Sequence, residues 1–116
     1  MHAEAPDIEA SALVSAEGLL IASAMPPHVD AEVVGAMSAA MVGMGDRIGD
    51  ELDRGDLVQV FVRCKGGSVI LIRVGDEAVL TALAKADAQL GLVFVTMRGT
   101  ASSLLSLLDS CIERDS

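Results

Sequence analysis

The sequence predicts a layered α/β sandwich, with five strands and flanking helices in a single unit of 116 residues. Three observations predict it. Apolar runs come in pairs around turn residues at 10–24 and 57–75, a long stretch between Asp30 and Gly55 carries helical spacing, and the C-terminal third reads as helix, strand and helix.

In order, residues 1–9 hold no persuasive pattern and are expected to form a short arm before a single domain at 10–114. In ASALVSAEGLLIASA (10–24), two apolar runs flank Glu17-Gly18, where glycine supplies the positive φ of a tight turn, so strands are expected at 11–16 and 19–24. Pro26-Pro27 ends the second, because neither residue can donate to a ladder. Asp30 is placed to cap a helix over 31–53, with Glu32 in its first turn, Arg54 near its end and Gly55 as the stop. LVQVFVRC (57–64) and SVILIRVG (68–75) flank Lys65-Gly66-Gly67 as a second hairpin. EAVLTALAKADA (77–88) suits a short helix capped by Asp76, with Val79, Leu80 and Leu83 on one side. Gly91 opens LVFVTM as a fifth strand, and Thr100 caps a last helix over 101–114 whose apolar face is Leu104, Leu105, Leu107, Leu108 and Ile112.

Apolar residues make up 52 % of the chain, too many for disorder, but Phe61 and Phe94 are its only aromatics. A formal charge of −9 opposes nucleic-acid phosphates and anionic lipid, so neither is expected as a partner. The longest uncharged run, Val33 to Gly45, is too short to span a bilayer, and the acidic N-terminus MHAEAPDIE lacks the regions of a signal peptide. A cytoplasmic location is expected. Cys64 and Cys111 lie without a CxxC or a neighbouring histidine, so both are read as buried, reduced thiols.

No motif brings a cofactor, a metal or catalysis. GMGDRIG (43–49) lies inside a helix, whereas a dinucleotide loop must follow a strand, and Lys65-Gly66-Gly67-Ser68 lacks the spacing of a phosphate loop. The histidines, His2 and His28, sit in the arm and after the prolines, with no nucleophile signature nearby. No catalytic, cofactor-binding or metal residue is assigned.

The long helix has two faces. Val33, Val34, Met37, Met41, Met44, Ile48 and Leu52 fall on one side, a stripe wide enough to be expected on the sheet. Opposite lie Gly35, Ala36, Ala39 and Gly43, followed by Asp46, Asp50 and Asp53. Gly35, Gly43, Gly45 and Gly49 together forfeit roughly 3 to 4 kcal/mol of helix propensity relative to alanine. Small residues four apart let a second backbone approach closely, so this face is expected to pack against a symmetric copy.

The runs ALVSAEGLLIAS, DAEVVGAMSAAMVGMGDRIGDEL, GSVILIRVGDEAVL and LGLVFVTMRGTASSLLSLL, in that order over about residues 10 to 108, resemble the Roadblock family, the superfamily of roadblock-type dynein light chains and their prokaryotic relatives. The resemblance implies a five-stranded antiparallel sheet of order 2-1-5-4-3, with the long helix on one face and the C-terminal helix on the other. It implies a homodimer in which the long helices pack together and the third strands pair. The interface would then include Gly35, Ala36, Ala39, Ala40 and Gly43 on the helix and Leu57, Gln59, Phe61 and Arg63 on the strand. Such pairing would also cover a long apolar edge at 57–64. Family members typically begin with an additional helix, for which the residues before Ala10 leave no room, so exposed apolar surface or oligomers above the dimer are expected.

In function, the resemblance implies a non-catalytic regulatory or scaffold protein that binds a Ras-like small GTPase. Arg47, Arg54 and Arg98 read as surface charges rather than catalytic fingers. The alternative is a small-ligand sensing module of similar sandwich shape, against which stands the shortage of polar core residues to orient a ligand.

Overall fold

Both hairpins form at the glycines that suggest them. The computed structural model describes residues 6–115, with side chains to Ser110. β1 (Ile8–Ser15) turns into β2 (Leu20–Ala24) through Gly18 at φ +93°, and β3 (Gln59–Cys64) turns into β4 (Gly67–Val74) with Cys64 paired to Gly67 at φ +146°. Between them runs α1 (Ala31–Glu51), capped by the Asp30 carboxylate, which accepts from the Glu32 and Val33 amides at 3.1 and 3.3 Å. β5 (Ala78–Lys85) and α2 (Leu90–Asp115) complete the chain. The strands form one antiparallel sheet of order β2-β1-β5-β4-β3, the order implied by the resemblance.

Local reading of the C-terminal third is overturned. The segment expected as a helix at 77–88 is the central strand β5, and the segment expected as a strand at 91–97 is the first part of α2, which runs unbroken through the supposed cap Thr100. β5 lies between β1 and β4, with α2 over one face and α1 over the other, and Ala78 to Ala82 are all buried. A strand buried on both sides has no polar alternation to betray it. In α2, Val93, Met97 and Ala101 recur every four residues and are buried on the sheet, so tertiary packing overrides the strand propensity of LVFVTM. The Asp7 carboxylate accepts from the Gln89 amide at 2.9 Å, placing a negative group at the start of this helix. The expected arm is likewise shorter at its inner end. β1 begins at Ile8, which is fully buried against the α2 side of the sheet.

The sheet separates two apolar layers. On one face Ile8, Ile70, Ile72, Val74, Leu80 and Ala82 meet Val93, Met97 and Ala101 of α2. On the other, a smaller group of Leu71, Val79 and Val42 of α1 is extended by Leu57, Val60 and Val69. By length and composition alone Leu90–Ser110 of α2 is apolar enough to cross a membrane; Val93, Met97 and Ala101 pack on the sheet, whereas Leu92, Val95 and Leu107 are exposed.

Candidate functional site

On α1 the large apolar stripe faces away from the sheet, contrary to the sequence expectation. The residues it buries are Gly35, Ser38 and Val42, whereas Val33, Met37, Met41, Met44, Ile48 and Leu52 are all exposed, Met44 and Ile48 each at 58 %. The small face lies on this chain's own backbone. An added Cβ at Gly35 would come within 3.2 Å of the Gly18 carbonyl, and one at Gly18 within 3.5 Å of Ala36 Cα and Ala39 Cβ, so the β1–β2 turn rests where the helix is thinnest. A Cβ at Gly45 would strike Leu57, and one at Gly49 would collide with the Gly55 carbonyl. The glycines therefore admit the chain's own turns against α1: Gly35, expected to face a partner, is instead buried under the β1–β2 turn, while Ala39 is half-buried and Ala36 is exposed. Gly43 is exposed with nothing near it, and Ala40 is exposed between the methionines.

Beside the methionine stripe an apolar groove of about 360 Å³ runs between Met37 and Met41 on α1 and Val62, Val69, Leu71 and Leu83 on the sheet. Its polar groups are two buried hydroxyls bonded to each other, Thr81 Oγ1 donating to Ser38 Oγ at 2.9 Å. Already paired, they offer little to orient a polar ligand. The groove joins the helix stripe to β3, making one continuous apolar surface of the kind that marks an interaction site.

β3 is an edge strand, bonded only to β4. Val58 O accepts from Arg73 N at 3.3 Å, so the peptide groups of Val58, Val60, Val62 and Cys64 face β4. Those of Gln59, Phe61 and Arg63 then face outward. Phe61 packs edge-on against Phe94 of α2, with ring centroids 5.6 Å apart, and remains 38 % exposed. Cys64, expected to be buried, is exposed because it ends this edge strand, and the side chain of Cys111 lies outside the described residues. Arg47, Arg54 and Arg98 are exposed.

One ion pair fixes α1 to the strands behind it. Arg73 Nη1 reaches Asp46 Oδ2 at 2.6 Å, and Asp46 Oδ1 also accepts from the Leu57 amide at 2.9 Å, tying helix, β4 and the approach to β3 together. The Leu57 amide bond, helped by Arg73 and opposed by partial desolvation, lowers the Asp46 carboxyl below its ordinary value of 3.8. A lowered carboxyl stabilises the fold above its unfolded value and loses that contribution as pH falls through the folded one. Asp46→Asn should therefore cost about 1 kcal/mol at pH 7, a modest figure because the pair is partly solvated. Thermal melts at stepped pH should show the gap between variant and wild type closing below the ordinary 3.8.

A model of the Roadblock/LC7 domain matches residues 3–84, most of the chain. The Methanocaldococcus jannaschii protein MJ0310 is 36 % identical over 86 % of this chain and 87 % of its own length. The chain belongs to the Roadblock/LC7 family. Among solved structures, Myxococcus xanthus MglB superposes with a TM-score of 0.88 at 21 % identity, covering 94 % of this chain and 89 % of MglB. A Roadblock/LC7 domain from Streptomyces avermitilis gives a TM-score of 0.85 at 22 % identity, over 91 % of this chain and 89 % of that domain. These likenesses show that α1, its methionines and the open β3 edge sit on the Roadblock/LC7 fold.

Sequence reasoning placed Gln59, Phe61 and Arg63 on the third strand, and they are the residues with outward peptide groups. It missed Met37, Met41 and Met44 as surface residues. Their enrichment on one stripe was the available signal, since flexible thioethers suit adaptable contact surfaces as well as cores.

Proposed function

We propose that this protein is a non-catalytic, cytoplasmic regulatory or scaffold subunit that acts as a homodimer and binds a Ras-like small GTPase. The observation that carries the self-association is the unbroken apolar surface running from Val33, Met37, Met41, Met44 and Ile48 through the groove to the unpaired edge of β3. In water such a surface gains free energy on being covered, and a twofold copy supplies both a matching helix stripe and a matching edge. The interface proposed here keeps Ala40, Gln59, Phe61 and Arg63 from the sequence expectation and exchanges the glycine face of α1 for its methionine face. Membership of the Roadblock/LC7 family supports the regulatory reading, and the GTPase is the partner class that the sequence resemblance implies.

Affinity measurements against small GTPases encoded in the same genome, each loaded with GDP or a non-hydrolysable GTP analogue, test the partner. The expected result is nucleotide-dependent binding to one of them with no nucleotide bound by this chain alone. Failure to bind any, in either state, overturns the GTPase reading and leaves the dimer to be judged separately.

A further inference from the structure

We infer that the groove between α1 and the sheet is a binding site for a neutral, elongated apolar molecule carrying one hydrogen-bond acceptor, such as a ketone or an ester. One chain builds this site, so it does not rest on the homodimer reading. The groove follows from where α1 keeps its large side chains. The helix buries Gly35, Ser38 and Val42, while Met37 and Met41 stand exposed as one wall. Val62, Val69 and Leu83 pair across β3, β4 and β5 as one row on the sheet, and all three are only half-buried. The space beside them is about 360 Å³. A cavity of about 150 Å³ holds a benzene ring, so this groove has room for roughly a dozen non-hydrogen atoms.

The lining decides the chemistry. No lining residue is charged, so an ionised ligand would lose its hydration there with nothing in return. Ser38 and Thr81, both more than nine-tenths buried, line the groove with two hydroxyl protons but share a single hydrogen bond. Among the described residues neither hydroxyl has another partner. One proton is left without an acceptor in an otherwise apolar groove, a condition that buried polar groups rarely keep. A ligand carbonyl oxygen satisfies it. The methionine stripe of a second copy would cover the mouth of the groove but brings only alkyl groups and thioethers, which accept weakly at best.

Valerophenone, neutral and with one carbonyl, is the probe, pentylbenzene lacks the oxygen, and phenylvalerate carries a carboxylate. Methyl-labelled methionines read where each binds, because Met37 and Met41 line the groove and Met97 is buried on the other face of the sheet. Valerophenone should shift the Met37 and Met41 methyl resonances saturably and leave Met97 unmoved, with phenylvalerate at least a hundredfold weaker. Val62→Phe, or Val69→Phe should the first not fold, places a ring in the groove and should weaken valerophenone at least tenfold. Ser38→Ala with Thr81→Val removes both hydroxyls at nearly constant shape, which leaves the fold intact, and should weaken valerophenone about fivefold and pentylbenzene not at all. Absence of saturable shifts with both neutral probes overturns the site, as do shifts centred on Met97 or phenylvalerate binding as well as valerophenone. Equal valerophenone affinity in the wild type and the double variant overturns the requirement for an acceptor.

Discussion

Met44→Glu is expected to leave a folded monomer and to weaken self-association by more than about a hundredfold, some 3 kcal/mol or more. Met44 is 58 % exposed in the single chain, so a carboxylate there stays hydrated and should change monomer stability by no more than about 0.5 kcal/mol. In the proposed dimer the same carboxylate would be held between two methionine stripes with no cation to meet it. Sedimentation velocity across a concentration series separates the two effects, with circular dichroism confirming the fold. Gly43→Ala is the matching control. Nothing lies within 4 Å of a Cβ at Gly43, so this change should leave the dimer intact. An interface through the small face would give the opposite pattern, with Gly43→Ala disruptive and Met44→Glu leaving association unchanged.

Gly49→Ala should destabilise the protein by about 2 to 3 kcal/mol, although alanine is the better helix former by about 1 kcal/mol. The added methyl meets the Gly55 carbonyl, a backbone atom held in a tight reversal. That reversal is fixed by Arg54 N donating to Gly49 O at 2.7 Å, with Asp53 at φ +55° and Gly55 at φ +85°. Moving it also moves Leu57, whose side chain covers Gly45 and whose amide bonds to Asp46. Gly43→Ala, with open space and the same propensity gain, should instead stabilise by about 0.5 to 1 kcal/mol. Urea unfolding at one fixed protein concentration checks both signs, the fixed concentration being needed because association adds to apparent stability.

The fold was legible where local chemistry acts alone. Gly18 and Gly67 mark the turns, Asp30 marks the start of α1, and the pairing of apolar runs marks both hairpins. The resemblance supplied the strand order. Residues 77–97 were not legible because their environment is decided by strands far away in sequence. β5 is covered on both faces by α1 and α2, so it reads as featureless apolar chain, and α2 begins with β-branched and aromatic residues that serve a helix only because Val93 and Met97 find the sheet.

The candidate site was half legible for a related reason. Hydrophobicity says which face of α1 avoids water but not whether the sheet or another molecule covers it. The sheet face is already lined by Val79 and Leu71, so a close approach is made by Gly35, Ser38 and Val42 rather than by methionine. The larger stripe was left outside. A soluble helix with apolar residues on one side and glycines on the other admits both assignments until the β1–β2 turn is seen resting on Gly35.

Amide hydrogen exchange at Gln59, Phe61 and Arg63 tests most directly whether a second copy covers this surface, because these amides have no acceptor within the chain's own sheet. Protection at all three that grows as protein concentration is raised, alongside constant protection in β4 and β5, is the predicted result. Fast exchange at these amides at every concentration, with the chain sedimenting at 11.9 kDa, would contradict it.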